Sequence, residues 1–316
     1  MGSFYEQDGL QYSSFATAYW LPAKYLFRLK KFVKFQDAAK KRPLSLVSNE
    51  IPPIPIFVSH RWLTNTHPDP LGSQLHIIAR FIIEAICLSR NICEHFFCYA
   101  QPEIVLNPAL KHHLRAHRPT KYGYNEDPYW TDGISLERDL PEWLKYHFPL
   151  LQFNANEIKN IVEVMKDVGV WYDYISVPQK PFVLSPKQEQ EHFDVAISNM
   201  ENYLRFSHVL ITWDLESSKR RWCLYEGIVA ENEGNASYDA LPNTKEKIAV
   251  FNFGNEYRRV RISEQIRLYL LNQKQMLTGK VFEELNEFLD KERIICAKAG
   301  EEKVVGRLIY DYLSSQ

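Results

Sequence analysis

Four short apolar runs constrain this chain more than any other feature: IFVSHRW at 56–62, VGVWYDYI at 168–175, HVLITW at 208–213 and KIAVFNF at 247–253. Each is short, rich in β-branched and aromatic residues, and apolar at consecutive positions, as expected of strands buried on both faces. Helical patterns lie between them, at Leu75–Cys98, in the Asn154–Val168 stretch (with Asn156 as its N-cap), at Phe193–Arg205 and at Arg221–Glu231. Strands alternating with helices predict an α/β fold, a parallel sheet with helices on both sides. In such sheets ligands bind beyond the carboxyl ends of the strands. Here those ends carry Ser59-His60-Arg61-Trp62, Asp173-Tyr174 and Trp213-Asp214.

The remaining chain frames this core. Residues 1–50 read as an N-terminal extension in which 22–42 forms an amphipathic basic helix, with Tyr25, Leu26, Leu29, Phe32 and Val33 on one face. Pro52, Pro53 and Pro55 then feed the first strand. The α/β domain is placed at 51–256, with an insertion at about 99–150 where the helical pattern breaks into Pro, His, Tyr and Asp-rich pieces. Residues 257–316 read as a helical C-terminal extension.

With 38 Lys+Arg against 39 Asp+Glu, the chain lacks the basic excess of a dedicated nucleic-acid binder. It has neither an apolar run long enough to span a membrane nor the pattern of a secretory signal. Gln7 and Asp8 speak against myristoylation after Gly2. Five cysteines without a C-x-x-C pair predict neither a disulfide framework nor a zinc site, which suits a reducing cytoplasm. P-loop, G-x-G-x-x-G and G-x-S-x-G motifs are absent from the sequence. His113 and His117 have the i, i+4 spacing of metal ligands, with His112 alongside, but no acidic residue completes the pattern. His67 and Asp69 form a Pro-bounded turn expected to border the site. Cys223 reads as packing rather than nucleophile, since no base adjoins it.

FVSHRW, WYDY and the Trp222-Cys223-x-x-Glu226 pattern after the third strand together resemble the TIR (Toll/interleukin-1 receptor) domain family. The segment FDVAISNMENYLRFSHVLIT, which leads into that strand, resembles the family's I-x-x-A-I-x-x-S helix. The resemblance spans about 57–255 with gaps. Residues His60-Arg61-Trp62 replace the usual first-box residues. The first two strands lie further apart than in a compact TIR domain, and the loop VPQKPFVLSPKQEQEHF replaces a short one. These departures resemble divergent members such as the TIR proteins of Thoeris antiphage systems.

The resemblance implies a flavodoxin-like sheet and an enzyme that cleaves NAD between nicotinamide and ribose, with Glu226 as the catalytic residue. The product would be ADP-ribose, a cyclic variant or a conjugate, used as an immune signal and sensed by a downstream effector. Ser59, His60, Arg61 and Trp62 would hold the nucleotide, Arg61 through its planar donor fork. Asp173 and Trp222 would complete that set. NAD is then substrate, and a homo-oligomer is expected because a neighbouring subunit commonly completes such sites.

The chemistry is reasonable for these residues. Nicotinamide leaves as a neutral pyridine, so a single carboxylate facing an oxocarbenium-like ribose suffices. Glu226 could instead be a surface carboxylate paired with Arg220 or Arg221. Two other functions remain open, a non-catalytic TIR-like interaction module and a nucleoside deoxyribosyltransferase-like enzyme, which shares the layout and uses a Glu nucleophile.

Overall fold

The computed structural model describes residues 19–27, 29, 31–40, 51–64, 66–92, 107–118, 136–149, 151–183, 185–213, 216–240, 256–296 and 300–316. The strands are β1 (Leu21–Pro22), β2 (Ile54–Ser59), β3 (Val168–Trp171), β4 (His208–Trp213) and β5 (Ala236–Ala240). They form one sheet in the order β1-β3-β2-β4-β5. β2 runs parallel to both β3 and β4, β4 runs parallel to β5, and β1 is antiparallel to β3. The helices are α1 (Phe35–Lys40), α2 (Ser73–Arg90), α3 (Pro108–Ala116), α4 (Leu136–His147), α5 (Ala155–Met165), α6 (Asp173–Ser176), α7 (Pro186–Ser198), α8 (Met200–Phe206), α9 (Arg221–Glu233), α10 (Glu256–Leu277), α11 (Phe282–Lys291) and α12 (Glu302–Ser314).

Alternation along the strands builds two cores. Ile54, Ile56, Val58, Val168, Val170 and Leu210 face a layer made by α2, α3, α4, α5 and the N-terminal segment. Phe57, Trp171, Val209, Ile211 and Trp213 face α8, α9 and the C-terminal helices. Both faces are covered, which is why these strands are apolar at consecutive positions. The C-terminal helices contribute Leu270, Leu285, Leu289, Val305 and Ile309 to the second core. They form its outer layer. Gly227 permits the close approach of α10, since a Cβ there would lie 2.7 Å from a methyl of Leu270.

Several boundaries differ from those expected. Residues 22–42 do not form one helix: Leu21–Pro22 pairs with β3, a 3-10 turn covers Ala23–Phe27, and helix resumes only at Phe35. Burial of Trp20, Leu26, Phe32 and Phe35 against the domain replaces the helical repeat. α2 stops at Arg90 rather than Cys98, because Asn91 turns into the left-handed region at φ 52°. α5 is capped by Asn154, not Asn156; Asn154 accepts from the Glu157 backbone and Glu157 reaches back to the Asn154 N–H. β5 replaces KIAVFNF as the observed fourth parallel strand, and 247–253 lies outside the described residues, as do Asp214, Cys93 and Cys98.

The expected insertion contains α3, which docks onto the domain. Asn107 caps it, accepting from the N–H groups of Ala109 and Leu110, while its own N–H donates to Ser237 Oγ at 3.0 Å. His113 Nδ1 lies 3.0 Å from His208 Nε2, and His117 Nε2 lies 2.6 Å from Asp167 Oδ2. These histidines therefore tie α3 to the amino ends of β3 and β4. Among the described residues no group of three or more His, Cys, Asp or Glu is placed to hold a metal ion. No helix among them is long and apolar enough to cross a membrane.

Candidate functional site

The chain crosses from β2 to β3 on one side and then passes to β4 on the other. That reversal opens the sheet between the carboxyl ends of β2 and β4, where open α/β sheets bind ligands. Ser59 ends β2 there, and the Thr212 hydroxyl of β4 donates to the Ser59 carbonyl at 3.1 Å. α9, following β4, carries Glu226 to the same place. Its residue is 7% exposed, and Oε2 has no aligned hydrogen-bond partner among the described residues. The buried Ser59 hydroxyl is likewise without an aligned partner.

Burial pushes the Glu226 carboxyl up to about 8; Ser59 and His60 pull it down, and the Asp173 charge adds to the rise. A desolvated carboxyl beside a specific charge pair, beyond the strand ends, is the arrangement expected of a working acid or base. Pairing with Arg221 does not account for Glu226. Arg221 is 1% exposed and points into the C-terminal layer, donating to the carbonyls of Ile294 at 2.7 Å and Glu302 at 3.0 Å. It also donates to Asn286 Oδ1 at 3.0 Å and to Asp290.

His60 and Asp173 meet across the strand ends. His60 Nε2 lies 3.1 Å from Asp173 Oδ1 in an ion-pair contact that is not an aligned hydrogen bond. His60 Nδ1 lies 3.2 Å from the Val58 carbonyl. Burial acts to lower the imidazole pKa, but Asp173, Glu226 and the Val58 carbonyl outweigh it and the net direction is up. Asp173 begins α6 with its side chain one-third exposed, and the Trp62 indole N–H donates to its Oδ2 at 3.0 Å. Trp62 stands edge-on to Tyr174 with centroids 5.6 Å apart. Asp173 is thus part of the site cluster as well as a loop anchor.

The sequence reading missed the support behind His60. Its ring stacks on Tyr172, which stacks on Phe32, both pairs at 3.9 Å and 12°. The Tyr172 hydroxyl donates to Gln74 Oε1 at 2.7 Å, and Gln74 Nε2 donates to the Arg61 carbonyl at 2.9 Å. Tyr172 was visible within WYDY; Gln74 carries no sequence signal. His67 borders this stack, with Nε2 3.0 Å from the Phe32 carbonyl and Nδ1 accepting from Asp69 N–H. Asp69 accepts from the Leu75 N–H near the start of α2.

Arg61 and Trp222 each make a contact of their own. The half-buried Arg61 guanidinium donates to the Trp62 carbonyl at 3.3 Å. The Trp222 indole N–H donates to Glu301 Oε2 at 3.1 Å, which ties that side chain to the C-terminal layer. Trp171 is core, stacked on Phe57 at 4.4 Å, and Cys223 is buried.

Fold and site define an α/β protein, mostly parallel in its sheet, with a buried carboxylate and a His–Asp pair at its switch point. No protein-family model, curated protein or solved structure matches the chain.

Proposed function

We propose that this protein is an NAD-cleaving enzyme of the TIR type, which releases nicotinamide and leaves an ADP-ribose-derived product. The observation that carries this reading is Glu226: buried, with Oε2 lacking an aligned partner among the described residues, and set against Ser59 by the ends of β2 and β4. The parallel strand order β3-β2-β4-β5 is also that of a flavodoxin-like sheet, in which the first parallel strand lies between the second and third.

In this reading Glu226 in its ionised form faces the ribose as the glycosidic bond breaks. It stabilises positive charge at the anomeric carbon in a site that water does not screen. The bonding pair leaves with nicotinamide, which needs no proton. Ser59 orients the carboxylate, Trp62 and Asp173 line the open side, and Arg61 faces the nucleotide phosphates. Assembly into a homo-oligomer in the cytoplasm and a downstream effector sensing an immune or antiviral signal belong to the same proposal.

Incubation of concentrated protein with NAD, resolved by mass-detected chromatography beside Glu226→Gln, tests it. Nicotinamide released by the wild type alone is the expected result. Transfer of a base between deoxynucleosides with NAD intact would instead identify a deoxyribosyltransferase, for which the same buried carboxylate would be the nucleophile. Intact NAD with purified protein, and again in lysate of virus-infected cells, would overturn the proposal in favour of an interaction module.

A further inference from the structure

Cleavage of NAD asks for an ionised carboxylate, yet Glu226 stands in surroundings that oppose ionisation. It is buried, and Asp173 brings a second negative charge close by. Something must offset both near neutral pH. Arg221, the nearest arginine on the same helix, is committed to the C-terminal layer. The Ser59 hydroxyl acts first against that rise and His60 second, and of the two only His60 can carry a positive charge.

The geometry around His60 favours its charged form. Nδ1 faces the Val58 carbonyl at 3.2 Å, and Nε2 faces the Asp173 carboxylate at 3.1 Å. Both neighbours are acceptors. A neutral imidazole donating to Val58 would turn its Nε2 lone pair toward the carboxylate; the imidazolium instead sets positive charge beside it, as an ion-pair contact rather than an aligned hydrogen bond. The Tyr172 ring stacked on the imidazole limits its rotation, and Tyr172 is itself held by Gln74. The groups that act on His60 are Asp173 at the start of α6, Glu226 on α9 and the Val58 carbonyl of β2, with the Tyr172 ring after β3 stacked on it. Of these, Tyr172 stays a neutral phenol, its pKa raised by burial and by Asp69 and Asp173. Two carboxyls and one imidazole therefore decide the charge of the cluster.

We infer that His60 is a positioning residue, held as a buried imidazolium between Val58 and Asp173, and that its fixed positive charge allows Glu226 to ionise. With Glu226 protonated the three groups sum to zero. With Glu226 ionised they carry one negative charge, which a pyridinium ring such as that of oxidised NAD would balance. The inference rests on the reading of Glu226 as the working carboxylate, but its test does not require NAD cleavage.

Nitrogen-15 NMR of histidine-labelled protein, with the His60 signals assigned by their loss in His60→Gln, reads the protonation state directly. Both His60 nitrogens are expected in the protonated range at pH 7.5. One nitrogen in the unprotonated range at that pH would overturn the inference. The action on Glu226 is read by the stability difference between Glu226→Gln and its parent from pH 5 to 10, in the wild-type and His60→Gln backgrounds. The pH at which that difference levels off is expected to rise by about one unit when His60 is lost. An unchanged levelling point would overturn the inference.

If the protein cleaves NAD, the ascending limb of nicotinamide release should move up by the same amount in His60→Gln. Activity would fall about tenfold at neutral pH and recover at high pH. A purely structural defect would lower activity at every pH. Passing both charge tests in a protein that leaves NAD intact would support the relation between His60 and Glu226 and count against the NAD reading alone.

Discussion

Glu226→Gln is expected to make the protein more stable, and only where the carboxyl of the wild type would be charged. In the unfolded chain Glu226 titrates near 4.5, and in the folded protein burial moves it to about 8. Below 4.5 both states carry the proton and the group has no effect on stability. Between the two values the folded state holds a proton that the unfolded chain has released, so wild-type stability falls as pH rises. The slope is about 1.4 kcal/mol per pH unit, and above pH 8 the accumulated loss levels off on the order of 5 kcal/mol. Glutamine keeps the shape of the side chain and never ionises. The variant and the wild type should unfold at similar urea concentrations at pH 5 and diverge by several kcal/mol at pH 9. That is a large share of the total stability of an ordinary domain. Urea titrations followed by circular dichroism at each pH measure the difference. Parallel pH profiles would refute the argument, because they would mean that Glu226 is solvated or already paired in the folded state.

Two further perturbations test the frame of the site. Arg221→Ala removes the donor for the Ile294 and Glu302 carbonyls and for Asn286, and it opens a cavity at the start of α9. Asp290 is 69% exposed at its side chain and returns to water, so a cost of about 3 kcal/mol is expected, at the low end for a broken buried pair; a loss under about 1 kcal/mol in urea unfolding would count against this anchoring role. His113 and His208 are held neutral, His208 lowered to about 3 by burial and then by His113, and His113 to about 4 by burial and then by His117 and His112. The unfolded chain binds more protons below pH 6.5, so stability should fall as pH drops from there toward 4, by up to about 1.4 kcal/mol per unit for each histidine. His208→Gln should flatten that acid limb in thermal scans, and an unaltered limb would show that the pair does not titrate on unfolding.

The strands could be read from the sequence because both of their faces are buried. Phe57, Val58 and Ser59 need no alternation when one core takes Val58 and the other takes Phe57. β5 escaped notice because Ala236-Ser237-Tyr238 is neither a continuous apolar run nor aromatic-rich. It is a strand because β4 supplies its hydrogen-bond ladder. The N-terminal segment had an apolar spacing compatible with a helix, but tertiary burial of Trp20 and Phe32 and pairing of Leu21 with β3 overrode local propensity. The helix after Phe153 was legible but its cap was misplaced at Asn156, because the reciprocal bond from Glu157 back to Asn154 selects the earlier Asn.

At the site the division is sharper. The sequence alone put Ser59 and Asp173 at the carboxyl ends of strands, because strand length and period place them there, whereas Glu226 was singled out by the resemblance of Trp222-Cys223-x-x-Glu226 to a family pattern. Only the tertiary structure decided that Arg221 turns away from Glu226 and into the C-terminal layer. It also set His60 against Asp173 and left an oxygen of Glu226 without an aligned partner among the described residues. The reason is physical: a side chain's charge state depends on its burial and on ångström-scale distances to groups far away along the chain. Those distances exist only once the sheet has closed between its two helical layers.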